Sequence, residues 1–285
     1  MAKPTTAHSN DCNTSRLIVL TDLDGTLLDS ETYSFDAATA ALDALRARSI
    51  PVILVSSKTR AEIEPLRSRL HNNHPFIVEN GGAVLIPSAY FPFPITDAIT
   101  SGPYLVIGLG TPYTRLRQAL KDIERDLGVP LRGYGDMSVD EVARRTGLSF
   151  EDATLAKQRD YDEPFIVEGQ ESTEQTLAQA IAEQGLRWTT GDRFHHLMGV
   201  HDKGAAVRRL IDCYRHNVRQ AQPSLTMLAL GNSLNDLPML AVADTPILVQ
   251  LADGTYAAGL DLPGLIRAPA PGPAGWNQAV LSLIR

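Results

Sequence analysis

Leu17-Ile18-Val19-Leu20-Thr21-Asp22-Leu23-Asp24-Gly25-Thr26 is the stretch that decides the fold. Four apolar residues in an unbroken run suit a strand covered on both faces, as in a parallel sheet. The run stops at Thr21-Asp22, which puts both aspartates at the strand's carboxyl end, where open α/β sheets bind ligands. Residues i and i+2 of an extended segment point the same way, so the two carboxylates converge. Such a pair suits a hard cation with oxygen ligands, Mg²⁺ for example. It equally suits a division of labour between a nucleophile and an acid–base group. A calcium-binding helix–loop–helix does not fit, because no third ligand precedes Gly25 and no helix precedes the loop. A capped turn with two solvated aspartates is the plain alternative.

Outward from this stretch, strands and helices alternate. Phe35, Ala38, Leu42 and Leu45 recur at helical spacing, and Pro51-Val52-Ile53-Leu54-Val55 is a second buried run ended by Ser56. Thr59 to Leu70 reads as a helix, and Phe76-Ile77-Val78 as a strand ended by Glu79-Asn80-Gly81-Gly82. This order predicts an open α/β sheet with right-handed crossovers. Pro87 to Pro103, broken by prolines and aromatics, marks a domain boundary. The middle block mixes helices with a hairpin around Gly191, as an α+β insert would. The core pattern resumes with a helix opened by Asp202-Lys203-Gly204, a strand over Leu225 to Leu230, and a last strand over Pro246 to Val249. A Pro/Ala loop from Ala268 to Pro273 follows. The expected organisation is a flexible lead-in over 1–15, core over 16–90, insert over 91–199 and core again over 200–285. The hinges are expected near Pro87–Pro94 and Gly199–Val200.

Composition narrows the function. The 285 residues carry 26 basic and 33 acidic side chains, a net charge of −7, which argues against a nucleic-acid binder. Two cysteines, Cys12 and Cys213, cannot build a disulfide framework or a four-cysteine zinc site, so a reducing cytoplasm is the expected setting. No apolar run reaches the ~18–20 residues of a membrane span, and the first fifteen residues lack the apolar stretch of a secretory signal.

Three further polar clusters sit at strand ends or helix starts. Ser56-Ser57-Lys58-Thr59-Arg60 offers hydroxyls, amides and positive charge for an anion, or simply an N-cap by Ser57 or Thr59. Lys203 stands at a helix start, which the helix dipole disfavours unless an anion lies beside it; otherwise it is a solvated surface lysine. Gly231-Asn232-Ser233-Leu234-Asn235-Asp236 offers oxygen ligands, or an asparagine-rich turn. Zinc at His195, His196 and His201 is disfavoured, because successive histidines on a strand, such as His195 and His196, point to opposite faces.

With these residues in place the chain resembles the haloacid dehalogenase superfamily of aspartyl-phosphate phosphatases. Its Asp-x-Asp-x-Thr signature is met by Asp22, Asp24 and Thr26, followed by Ser56, Lys203 and the Gly231–Asp236 run. Thr21 to Asp29, Ser56 to Glu62, Pro75 to Gly82, Gly133 to Asp136, Arg159 to Phe165 and Ala270 to Pro273 look like the mannosyl-3-phosphoglycerate phosphatase family, with glucosyl-3-phosphoglycerate phosphatases close by. The resemblance implies a Rossmann-like α/β core with a parallel sheet and an inserted α+β cap of the C2B type. It implies Mg²⁺, a phosphorylated glycosyl-glycerate as substrate, and a role in compatible-solute synthesis. A broader sugar phosphatase, or a sugar-phosphate binder that lost turnover, is the alternative.

Residue by residue, the resemblance makes Asp22 the nucleophile and Asp24 the acid and base. Metal contact would keep Asp22 ionised, and neighbouring charge would raise the pKa of Asp24. Ser56 would bind a phosphoryl oxygen and Lys203 would neutralise charge, with Asp22, Asp24, Asn232 and Asp236 around the metal. Asn232 departs from the family's Asp: it keeps an oxygen ligand but removes one charge, which weakens Mg²⁺ binding and throws more of it onto Asp236. Substrate contacts are expected from Ser57, Lys58, Thr59, Arg60, Asn80, Gly81, Gly82 and Asn235 in the core. Tyr134, Gly135, Asp136 and Arg159 are expected to supply them from the cap.

Overall fold

The computed structural model describes residues 17–168, 174–190, 194–218 and 225–284. The expected lead-in, with Cys12, and the hairpin glycine Gly191 lie outside the described residues. Along the core the order is β1 (Leu17–Thr21), α1 (Thr39–Ala47), β2 (Val52–Val55), α2 (Arg60–Arg69), β3 (Phe76–Val78), β4 (Ala83–Pro87), β5 (Ile99–Ser101) and β6 (Tyr104–Gly108). The insert follows: α3 (Tyr113–Leu127), β7 (Leu131–Gly133), α4 (Val139–Thr146), α5 (Phe150–Ala156), β8 (Asp162–Val167), α6 (Glu174–Glu183), β9 (Arg187–Thr190) and β10 (His195–Met198). The core closes with α7 (Lys203–Val218), β11 (Thr226–Gly231), α8 (Leu237–Leu240), β12 (Thr245–Gln250), β13 (Ile266–Pro271) and α9 (Gly272–Leu283).

Among the described residues the core holds a nine-stranded sheet in the order β13-β12-β11-β1-β2-β3-β4-β6-β5. It is parallel from β13 to β3 and antiparallel from β3 to β5. The apolar runs are unbroken because both faces are covered. Ile18, Leu20, Ile53, Val55 and Ile77 pack into one cluster, whereas Val19, Leu54, Phe76 and Val78 pack into the other. Trp276 on α9 anchors the critical strand end by donating its indole N–H to the Thr21 hydroxyl at 3.0 Å. In the insert, a four-stranded antiparallel sheet runs β7-β8-β10-β9. Leu116, Leu120 and Ile123 of α3 and Leu177 and Ile181 of α6 pack against Leu131, Phe165 and Leu197 of this sheet.

Two sequence expectations need correction. The main sheet continues beyond residue 90: β5 and β6 extend it, and Phe91, Phe93, Ile95 and Ala98 pack on its core. The prolines and aromatics of that region therefore lead into a sheet edge, and the elements of the insert begin at Tyr113. Likewise, the Pro/Ala stretch is largely strand. β13 pairs parallel with β12 at the sheet edge. An edge strand leaves one row of N–H groups unpaired, so Pro269 and Pro271 are tolerated there.

His74, near the amino end of β3, shows how burial tunes stability. Its Nδ1 lies 2.9 Å from the Tyr90 hydroxyl. Burial, and after it the Arg67 guanidinium, depresses its pKa from the ordinary 6.5 to about 4. Between these values the unfolded chain binds a proton that the folded chain does not, so stability falls as pH falls from 6.5 to 4. At about 1.4 kcal/mol per pH unit, the full loss approaches about 3 kcal/mol. Urea unfolding of the wild type and His74→Asn between pH 7 and 4 checks this: the variant should lose much less stability on acidification.

Candidate active site

β11, β1 and β2 are neighbours in the sheet, so their carboxyl ends bring three of the polar clusters together. Lys203, the first residue of α7, completes the group. Its Nζ lies 2.7 Å from Asp22 Oδ1 and 2.6 Å from Asp236 Oδ1, and all three side chains are buried. The lysine that the helix dipole disfavours is thus held by two carboxylates. Burial works against its charge, but Asp22 and Asp236 overcome that and place its pKa above the ordinary lysine range. Burial, and then the charge of Asp236, raises the pKa of Asp22 to about 7, against the opposing pull of Lys203. Two carboxylates share one ammonium here, which leaves the pocket short of positive charge.

Asp24 projects differently. Its Oδ1 is 3.1 Å from Lys58 Nζ, and its backbone carbonyl accepts from Asn232 Nδ2 at 3.2 Å. Gly25, at φ +71°, makes that approach possible: a Cβ there would lie 2.4 Å from Asn232 Nδ2. Ser56 is buried, and its hydroxyl accepts from the Lys58 amide at 3.2 Å. The structure therefore gathers Asp22, Asp24, Ser56, Lys58, Lys203 and Asn232 around one strand-end pocket.

Asp236 has both oxygens committed. Oδ1 holds Lys203, while Oδ2 accepts from the amides of Asn232 at 2.9 Å and Ser233 at 3.0 Å. Most of its accepting capacity therefore goes to the loop and the lysine, which leaves Oδ1 as its one oxygen with room for a cation. The donors that remain suit a hard cation: the Asp22 carboxylate, the Asp24 carbonyl and the Asn232 amide. The amide oxygen and nitrogen of Asn232 differ only by a flip about the side-chain axis, so either can face Asp24. A cation there would also offset the unbalanced charge that raises Asp22.

The other expected contacts divide. Arg60 turns away from the pocket to Glu64 at 2.8 Å, Ser101 at 3.1 Å and the Tyr104 ring. Thr59 caps α2 reciprocally with Glu62, and its hydroxyl donates to the Leu155 carbonyl of the insert at 3.0 Å. The Ser57 carbonyl accepts from Arg159 at 3.1 Å. Asp136 is clamped by Arg117 at 2.6 Å and Lys121 at 2.9 Å, and a Cβ on Gly135 would strike Arg117. Both therefore shape the insert. Tyr134 is buried below the Arg159 guanidinium and meets Phe194 edge-on. Asn235 donates to Asn80 Oδ1 at 3.2 Å, and Asn80 donates in turn to Asp162 Oδ2 at 3.4 Å. The space beside Gly81 and Gly82, expected to admit a ligand, is filled by protein: Cβ atoms there would meet the Asp202 carbonyl at 2.2 Å and Tyr161 at 2.5 Å.

Sequence reasoning gave Glu79 and Asp162 no role of their own and weighed His196 only as a zinc ligand. Asp162 is buried between Arg159 at 3.3 Å and His196 Nδ1 at 2.9 Å. Glu79 is buried and accepts from the amides of Asp160 and Tyr161. A buried acid is legible only through its partners, and those of Glu79 lie 81 and 82 residues away in the chain.

A model of haloacid dehalogenase-like hydrolases matches residues 19–90. A relative from Methanococcoides burtonii, named glucosyl-3-phosphoglycerate/mannosyl-3-phosphoglycerate phosphatase, is 46% identical over 94% of this chain and 97% of its own. One of the same name from Persephonella marina is 38% identical over 94% of this chain and 97% of its own. Among solved structures, the subclass IIB sugar phosphatase BT4131 superposes with a TM-score of 0.62 at 16% identity, over 94% of this chain and 99% of that one, a likeness of fold.

Proposed function

This chain belongs to the glucosyl-3-phosphoglycerate/mannosyl-3-phosphoglycerate phosphatase family of haloacid dehalogenase-like hydrolases, and on that premise we propose that it removes the phosphate from a 3-phosphoglycerate carrying glucose or mannose. The observation that carries the reading is the buried Asp22–Lys203–Asp236 group beside Asp24.

Asp22 attacks phosphorus. A bond forms from its carboxylate oxygen to phosphorus while the ester P–O bond breaks, and the leaving alkoxide takes a proton from Asp24. Water then attacks the aspartyl-phosphate, gives its proton to Asp24, and frees phosphate and Asp22. Lys203 neutralises charge between the nucleophile and the phosphoryl oxygens, and Asp236 holds it there. Ser56 donates to a phosphoryl oxygen. Mg²⁺ bound by Asp22, the Asp24 carbonyl and Asn232 would supply charge neutralisation and keep Asp22 ionised. Lys58, Tyr134 and Arg159 face the part of the substrate that does not react.

Phosphate release from a panel of sugar phosphates and glycosyl-3-phosphoglycerates in Mg²⁺ tests the reading. Release confined to the glycosyl-phosphoglycerates supports it. Release from many monoesters indicates a broader sugar phosphatase, and binding without release indicates a non-catalytic relative. For the metal, Asn232→Asp restores one negative charge and should tighten Mg²⁺ severalfold in a calorimetric titration. Unchanged affinity would remove Asn232 from the ligands.

A further inference from the structure

The turn Glu79-Asn80 is strained: φ is +47° at Glu79 and +56° at Asn80, both outside glycine. Left-handed residues of this kind are strained and persist where the surroundings over-determine them. The surroundings here come from three directions. Towards the catalytic pocket, the Asn80 amide donates to the Ser56 carbonyl at 2.9 Å and the Glu79 amide to the Lys58 carbonyl at 3.0 Å. Towards the insert, the Glu79 carboxylate accepts from the amides of Asp160 at 3.0 Å and Tyr161 at 2.8 Å, and Asn80 reaches Asp162. Towards the chain connections, His201 Nε2 approaches the Glu79 carbonyl at 3.3 Å, and Gly82 receives the amides of Leu109 and Gly110. Tyr161 is wedged where a Cβ on Gly82 or Gly110 would sit.

The same short turn thus touches the Ser56–Lys58 loop, both connections to the insert, and the segment of the insert that leads from α5 into β8. The insert also meets that loop directly, through Thr59 to Leu155 and Arg159 to Ser57. A carboxylate that accepts two consecutive amides fixes their segment in angle as well as in distance.

We propose that Glu79 is a positioning residue that seats the cap on the core. By holding the Asp160–Tyr161 amides it sets the closed geometry in which the non-reacting part of the substrate is enclosed. This rests on the reading of the chain as a phosphatase of glycosylated phosphoglycerates. Enclosure matters only to a substrate long enough to reach the cap. A small phosphate ester lies wholly at the strand ends and is indifferent to it.

Glu79→Ala is the test, with Glu79→Gln beside it, since the amide keeps one acceptor oxygen and the volume of the side chain. Glu79→Ala should raise KM for the glycosyl-3-phosphoglycerates by about tenfold or more, while kcat/KM for p-nitrophenyl phosphate stays within about twofold of wild type. Glu79→Gln should fall between. Losses of equal size on both substrates, or none on either, would overturn the proposal. Hydrogen exchange judges it independently of substrate. In Glu79→Ala, amides over 155–161 should lose protection while those of β1 and β10 keep theirs, and unchanged protection over 155–161 would also overturn it. A wild type that hydrolyses the small ester but no glycosyl-3-phosphoglycerate refutes the substrate reading alone, and the exchange measurement still decides on Glu79.

Discussion

Asp22→Asn should lower turnover by about a hundredfold or more, and leave the fold intact. An amide nitrogen cannot form the acyl-phosphate bond, whereas every other contact in the pocket survives the change. Lys203 keeps Asp236 at 2.6 Å, so its charge is not stranded. The wild-type carboxylate is itself uncomfortable, since burial and Asp236 raise its pKa to about 7. Removing that charge should therefore leave the unfolding midpoint unchanged or raise it. The expected result is a stable, inactive protein. Acid-quenched wild type should yield a phosphorylated peptide containing Asp22, and the variant should not. Residual turnover well above about 1% of wild type would mean that another residue makes the bond.

Lys203→Met is the opposite case, a change that should damage fold and activity together. Two buried carboxylates depend on this one ammonium. Removing one partner of a buried ion pair costs about 3–5 kcal/mol, because the charge left behind has no solvent to turn to. Urea unfolding should show a loss of that order, with turnover abolished. Adding Asp22→Asn to Lys203→Met removes one of the stranded carboxylates and should recover part of the stability but none of the turnover. A single variant destabilised by less than about 1 kcal/mol would show that solvent reaches the group more freely than its burial implies.

Legibility in the sequence follows the range of the interactions. Leu17–Leu20 and Val52–Val55 announce buried parallel strands by composition alone, and the polar residues that stop them fall at the strand ends. The positions of Asp22, Asp24, Ser56 and Asn232 at strand ends are therefore legible in the sequence. Lys203 was legible only in part: its position at a helix start left a solvated surface lysine open, and the family resemblance singled it out. What failed was decided by partners that the motifs themselves do not reveal. Arg60 has the chemistry of a carboxylate binder, yet Glu64 one turn later and Ser101 across the sheet claim it. Gly81 and Gly82 signal close approach correctly, but what approaches is Asp202 and Tyr161. Asp236 offers a cation less than its motif suggests, because its backbone and lysine partners take most of its accepting capacity. The edges of the sheet misled for a related reason: proline discourages strand assignment generally, but an outermost strand accommodates it.

The chain leaves the core and returns to it side by side: a Cβ on Gly199 would lie 2.5 Å from the Thr111 hydroxyl. Every strand of the nine-stranded sheet lies outside the residues between those two points. The excursion is thus modular in the literal sense. A bridge of a few residues from Thr111 to Gly199 would shorten the polypeptide without unpairing a single strand of the platform. Evolution could exchange the whole canopy, and with it the choice of cargo, while the hydrolytic floor stayed as it was.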